Sequence, residues 1–265
     1  RVTAIDMTAS GINTTKIQDV TTLEEYTKPL LELLAATPDS EKVILVGHSL
    51  GGLNLALTTE RFPSKVAVGV YLTACMPDTS NKPSFVWNKY MEKFPAEVWL
   101  DTQFAPYSES QQHLISISFG PMILEKKLYQ NCPIEVTFFS HNNTSPNFSK
   151  EHHHILTLNY LYNSSNKDLE LAKTLVRPGS LFLYDLENSK NFSEEGYGSV
   201  PRAYILCDED QAIPVEFQLW MIENYETQEV MELKGADHMA MLSKPHELCL
   251  CLCQIALRHA KRNSA

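Results

Sequence analysis

The chain has 265 residues, 43% of them hydrophobic and 20% charged, which suits one large domain able to bury a sizeable core. Its 32 acidic residues against 22 basic ones leave a net charge of -10, which argues against nucleic acid and anionic membrane as partners. No apolar run approaches the ~20 residues that span a bilayer, and six cysteines in this length make no disulfide framework, so a reduced, cytoplasmic setting is expected.

Residues 2–7 read as a buried strand, and a polar loop follows to about residue 19. Thr22-Leu23-Glu24-Glu25 has the capping-box pattern of a helix start. Tyr26, Leu30, Leu33 and Leu34 then recur at helical spacing until Pro38-Asp39. A short apolar run, Val43 to Val46, meets Gly47-His48-Ser49-Leu50-Gly51, and a helix is expected to about Glu60. Val66 to Leu72 is a further apolar run. Strands alternating with helices at this spacing predict βαβ units and a mostly parallel sheet with helices on both faces.

From residue 77 to 199 this rhythm stops, and Trp87, Tyr90, Trp99 and Phe104 mark a segment rich in aromatics and prolines. Such an insertion after a strand reads as a largely helical cap over the site edge of the sheet. Residues 1–76 and 200–265 would form the core. A strand is expected over 202–207, a helix over 215–224, a strand over 229–233, and a last helix over about 245–258. Cys249, Cys251 and Cys253 in that helix read as small buried hydrophobes. The N-x-S/T triplets at Asn13, Asn142, Asn147 and Asn191 read as chance matches.

The G-x-S-x-G stretch is the layout of a nucleophile elbow, a strained strand-to-helix turn that lifts Ser49 clear of the sheet. Gly47 and Gly51 are read as the positions that leave room for the turn. A serine hydroxyl needs a base, and a base needs an acid to orient it. Two later loops at strand ends offer both: the cluster Asp208-Glu209-Asp210, and His238. In a parallel sheet such loops converge on one crevice. These residues leave open whether Asp208 or Asp210 is the acid. His48 reads as a packing and hydrogen-bonding residue of the elbow rather than a base. His152-His153-His154 resembles a metal tract, but consecutive side chains diverge, and no metal site is expected there.

Taken together, GHSLGG, Ala74-Cys75-Met76-Pro77-Asp78, Arg177-Pro178-Gly179-Ser180-Leu181-Phe182, Tyr197-Gly198-Ser199-Val200 and the run from Gly235 to Leu242 resemble the plant methylesterase family of the α/β-hydrolase fold. Hydroxynitrile lyases are close relatives of that family. The resemblance implies Ser49 as nucleophile, His238 as base, and Asp210 as acid, through the pattern Glu209-Asp210-Gln211-Ala212-Ile213-Pro214. It also implies the Leu50 amide as an oxyanion donor, and no cofactor. The family's lyases carry a lysine directly after the histidine; here Met239 stands there, as in the esterases, and suits an apolar acyl pocket.

Two departures accompany the resemblance. Family members carry an additional strand with an HGG-type loop, then a helix, ahead of the residue 2–7 strand. Without that loop one oxyanion donor is expected to be missing, a loss of ~10²–10³ in rate, and neighbouring strand edges are expected to be unpaired. The reading is an N-terminally truncated chain. Residues 136–167 have no counterpart either. Val136 has codons beginning GT and Lys167 can be encoded AAG, so an intron translated in frame is expected, with a surface loop as the alternative.

The resemblance thus implies hydrolysis of small methyl esters of plant hormones or specialised metabolites, such as methyl salicylate, methyl jasmonate or polyneuridine aldehyde. Hydroxynitrile lyase is one alternative, and a ligand-binding homologue impaired by truncation is the other. The expected partner is a small-molecule ester, and the apolar cap offers a surface for a homodimer.

Overall fold

The computed structural model describes residues 2–132 and 167–262. In chain order the larger elements are α1 (Leu23–Ala36), β1 (Val43–Ser49), α2 (Gly51–Arg61), β2 (Val66–Ala74) and α3 (Phe85–Lys93). There follow β3 (Gln103–Pro106), β4 (Ile115–Ser118), a helical turn α4 (Pro121–Ile123) running into a π-turn (Leu124–Leu128), α5 (Lys167–Leu175), β5 (Gly179–Ser180) and α6 (Leu183–Asn188). The chain closes with β6 (Arg202–Cys207), α7 (Val215–Asn224), β7 (Glu229–Leu233), α8 (Ala240–Ser243) and α9 (Pro245–Arg262).

Four of these strands make a parallel sheet in the order β1-β2-β6-β7. Its residues alternate between two cores, as a pleated strand requires. Tyr71, Ala74, Tyr204 and Leu206 face the core built with α1, α2 and α7. Val68, Val70, Leu72, Ala203, Ile205 and Cys207 face the core closed by α9. The α1 start is a capping box: the Thr22 hydroxyl accepts from the Glu25 amide, and the Glu25 carboxylate accepts from the Thr22 amide. At the other end of α1, buried Lys65 donates through Nζ to the carbonyls of Leu34, Ala35 and Thr37. Carbonyls at a helix end lack intrahelical partners, and Lys65 supplies them.

Between β2 and β6 the chain forms a second sheet, antiparallel and three-stranded, in the order β3-β4-β5. The sequence reading of this segment as helical did not include that sheet. An aromatic cluster of Trp87, Tyr90, Phe94 and Trp99 packs against Phe217 of α7, and the Tyr90 hydroxyl donates to the Ala212 carbonyl. The segment is thereby seated on the loop after β6.

Three expectations need correction. Residues 2–7 form no strand, and Val2 is 96% exposed. A strand needs a neighbouring ladder, and among the described residues β1 is the edge of its sheet with β2 as its single neighbour. Secondly, Cys251 is buried, but Cys249 and Cys253 are exposed. A helix turns ~100° per residue, so positions two apart lie on opposed faces and three alternating residues cannot all be buried. Thirdly, a Cβ on Gly51 would meet nothing within 4 Å, whereas one on Gly52 would lie 2.1 Å from the Cys75 carbonyl oxygen. Gly52, with Gly47, is the glycine the turn requires. The insert at 136–167 lies outside the described residues apart from Lys167, which opens α5, and His152-His153-His154 lies outside them too.

Candidate active site

The turn from β1 into α2 places Ser49 at φ +55°, in the left-handed region that L-residues seldom adopt. A Cβ on Gly47 would sit 2.7 Å from the Gly51 carbonyl oxygen, so the chain can fold back this sharply with glycine there. The Cys75 amide donates to the Ser49 carbonyl at 2.9 Å and fixes the tip of the elbow to β2. Leu50 stands at the N-cap of α2. Amides at a helix start have no intrahelical acceptor.

The three acidic side chains after β6 have separate partners. Asp208 accepts from the Gly235 amide at 2.6 Å and shapes the turn ahead of His238. The Glu209 carboxylate accepts from the Asn131 side-chain amide. Asp210, 2% exposed, meets His238: Nδ1 of the ring lies 2.7 Å from Oδ2. The other Asp210 oxygen, Oδ1, accepts the Ala212 and Ile213 amides at 2.7 and 2.8 Å. Of Asp208 and Asp210, it is Asp210 that touches His238.

Burial opposes the Asp210 charge, yet the His238 ring and the hydrogen bonds from His238, Thr73 and the Ile213 amide outweigh it and hold the carboxyl below its ordinary range. With the Asp210 carboxylate as acceptor at Nδ1, that nitrogen carries the proton and Nε2 of His238 does not.

Ser49, Leu50, His238 and Met239 line one chamber of about 740 Å³, whose walls also include Tyr26, Leu124, Leu171 and Phe182. That volume lies within the range of small-molecule sites, and its lining is mainly apolar. Ser49, Leu50 and His238 also border a side chamber of about 50 Å³ walled by Trp87, Tyr90, Trp99 and Phe119. Met239 packs against the cluster of Leu124, Leu128 and Leu169. On the rim, the Arg177 guanidinium donates to the carbonyls of Gly11, Asn13 and Thr15, holding that loop beside the chamber.

Three more side chains surround His238, of which Thr73 and Asp237 have no role in the sequence reading and His48 is the expected packing and hydrogen-bonding residue of the elbow. Thr73 donates its hydroxyl to Asp210 Oδ2 at 2.5 Å. Asp237, fully buried, accepts the Met239 amide on one oxygen and the Asn131 amide on the other, tying the histidine loop to the segment before residue 133. His48 lies with Nε2 2.7 Å from the His238 carbonyl oxygen and its ring 4.6 Å from the His238 ring. A carbonyl accepts, so Nε2 of His48 carries the proton. Burial, and then the His238 charge, push His48 down to about 3, so it is neutral near pH 7 and a hydrogen-bonding residue of the elbow rather than a base.

Residues 1–249 match the family model described as the alpha/beta hydrolase family. The chain belongs to the alpha/beta hydrolase family. Within it, the chain is similar to salicylic acid-binding protein 2 of Nicotiana tabacum, 46% identical over 259 residues that cover 98% of this chain and 87% of that protein. It is also similar to methylesterase 1 of Arabidopsis thaliana, 47% identical over 249 residues that cover 94% and 82% respectively. Its fold superimposes on the crystal structure of polyneuridine aldehyde esterase with a TM-score of 0.83 at 42% identity, covering 97% of this chain and 88% of that one. The plant methylesterase resemblance carried by the motifs is therefore borne out. Cys75, Cys207, Cys249, Cys251 and Cys253 are free thiols, and no helix among the described residues is long and apolar enough to cross a membrane.

Proposed function

We propose that the chain is a serine esterase that hydrolyses methyl esters of small, largely apolar carboxylic acids, with Ser49 as nucleophile, His238 as base and Asp210 as orienting acid. The observation that carries the reading is the buried Asp210–His238 pair, 2.7 Å apart, in the wall of the chamber that also holds Ser49 on its strained elbow. Ser49 Oγ attacks the ester carbonyl while its proton passes to Nε2 of His238. The Leu50 amide faces the oxyanion, and Asp210 stabilises the imidazolium. Collapse of the intermediate expels methanol with the proton from His238. Water, deprotonated by His238, then releases the acid and restores Ser49.

The methyl ester is supported by relatives named as methylesterases at 47% and 45% identity. An apolar acyl group is supported by the lining of the larger chamber, with Met239 in its wall, and methyl salicylate and methyl jasmonate are substrates of that size and kind. In this reading residues 77–132 and 167–199 act as a cap that excludes water, and the free thiols of Cys75, Cys207, Cys249, Cys251 and Cys253 fit a cytoplasmic location. Met239, an uncharged thioether, offers no charge to a departing cyanide, which speaks for hydrolysis over hydroxynitrile cleavage.

The test is a panel of methyl salicylate, methyl jasmonate and methyl indole-acetate, with acid release measured for the native chain and for Ser49→Ala, alongside fluorophosphonate labelling. Labelling at Ser49 and loss of hydrolysis in Ser49→Ala are expected. Hydrolysis that survives in Ser49→Ala overturns the assignment, and cyanide release from mandelonitrile without ester hydrolysis moves it to the lyase.

A further inference from the structure

Thr73 sits in β2 where the pairing with β1 breaks register: His48 pairs with Leu72 and Ser49 with Ala74, so Thr73 is the extra residue between them. A bulge of this kind turns a side chain away from the alternation of its strand. Thr73 has φ +34°, outside the usual range for a β-branched residue, and is completely buried. Its hydroxyl reaches Asp210 Oδ2, the same oxygen that meets His238 Nδ1. A carboxylate oxygen with two donors has both lone pairs committed. The Asp210 carboxylate thus takes Thr73 and His238 on one oxygen, and the Ala212 and Ile213 amides on the other. The amides fix its position in the loop, and the two side chains fix the plane in which Oδ2 presents itself.

We infer that Thr73 is a positioning residue for the esterase reaction: the β2 bulge aims its hydroxyl at Asp210 Oδ2, which sets the lone pair offered to His238 and spreads the carboxylate charge. The inference rests on the proposed Ser49–His238–Asp210 reading. It makes the end of β2, a strand with no residue in the proton-transfer path, part of what orients the base. The strained backbone and the bulge have their consequence in this contact, since an undistorted strand would carry Thr73 through that position with the ordinary alternation.

Other titratable groups surround the pair. His48 stays neutral down to about 3, burial raises Cys75 to about 12, and burial raises Tyr90, Tyr204 and Cys207 above their ordinary ranges. The Asp237 carboxylate stands on the histidine loop itself, facing the Asn131 and Met239 amides. The acid limb of a pH profile therefore reports the Asp210–His238 pair, read as one coupled unit.

The experiment uses Thr73→Val, which keeps the shape and removes the donor, and Thr73→Ser, which keeps the donor. Thr73→Val is expected to lower kcat about tenfold with KM within about twofold, the size of a lost hydrogen bond to a charged group. Without that donor the carboxylate is more basic and its charge falls more fully on His238, so the acid limb of kcat/KM moves to higher pH. Thr73→Ser is expected to keep kcat within about threefold and leave the limb in place. Should Thr73→Val fail to fold by circular dichroism, Thr73→Ala and the rate of fluorophosphonate labelling at Ser49 give the same readings. Unchanged kcat and an unmoved limb in the donor-less variant overturn the inference, as does Thr73→Ser behaving like Thr73→Val. If Ser49→Ala remains active, the proposed function fails instead, and the two failures are told apart.

Discussion

His48→Gln removes a titratable ring while keeping an N–H able to reach the His238 carbonyl, and so separates the charge of residue 48 from its hydrogen bond. In the unfolded chain a histidine takes up its proton near 6.5; in the folded protein His48 does so at about 3. The unfolded state therefore binds more protons as pH falls, and stability must fall with it. Carried through linkage, the full difference removes roughly 3 kcal/mol between pH 7.5 and 4.5. His48 also lines the larger chamber, and water there screens the ring, so roughly 1–2 kcal/mol is expected. The assay is urea unfolding of the native chain and of His48→Gln at both pH values. The native chain should lose about that much more than the variant. Parallel losses would show that His48 is not held neutral, and would refute the linkage argument.

Three further substitutions test how the elbow and the neighbouring helix α1 are held. Gly52→Ala puts a Cβ 2.1 Å from the Cys75 carbonyl oxygen, so α2 or the end of β2 must shift; a loss of about 3 kcal/mol by urea unfolding and slowed labelling at Ser49 are expected. Gly51→Ala meets nothing within 4 Å and should be neutral or stabilising by up to about 1 kcal/mol in the same assays, which makes it the control. Lys65→Met leaves the last carbonyls of α1 without their buried donor; a loss of about 2 kcal/mol is expected, and a value near zero would mean that water replaces the ammonium.

Much of the sheet was legible because its strands are apolar runs bounded by turns. The expected 202–207, 215–224 and 229–233 elements coincide with β6, α7 and β7. The three-stranded sheet was not legible: Gln103–Pro106 is exposed along its whole length and ends in proline, so no buried face leaves a period in its sequence. At the site, Ser49, the acidic cluster and His238 stand out as reactive residue types at strand ends. The choice of Asp210 rested on the family pattern, since the neighbouring carboxylates differ in what they touch and not in kind. Thr73 is hidden for another reason. Inside Val66–Ala74 it reads as an ordinary strand residue, and the bulge that aims it arises from how β1 turns beside it.

The pairing of β1 with β2 bears on how Ser49 keeps its place. Among the described residues β1 has β2 as its single ladder partner, and Val46 in its middle is 48% exposed. On the β2 flank Ser49 is held by the ladder to β2, the Cys75 amide on its carbonyl, and the close seat of Gly52 on Cys75. Amide hydrogen exchange should then be asymmetric, fast for β1 amides pointing away from β2 and slow for those that donate to it. The aim of Ser49 is set from the side of the strand that carries Thr73.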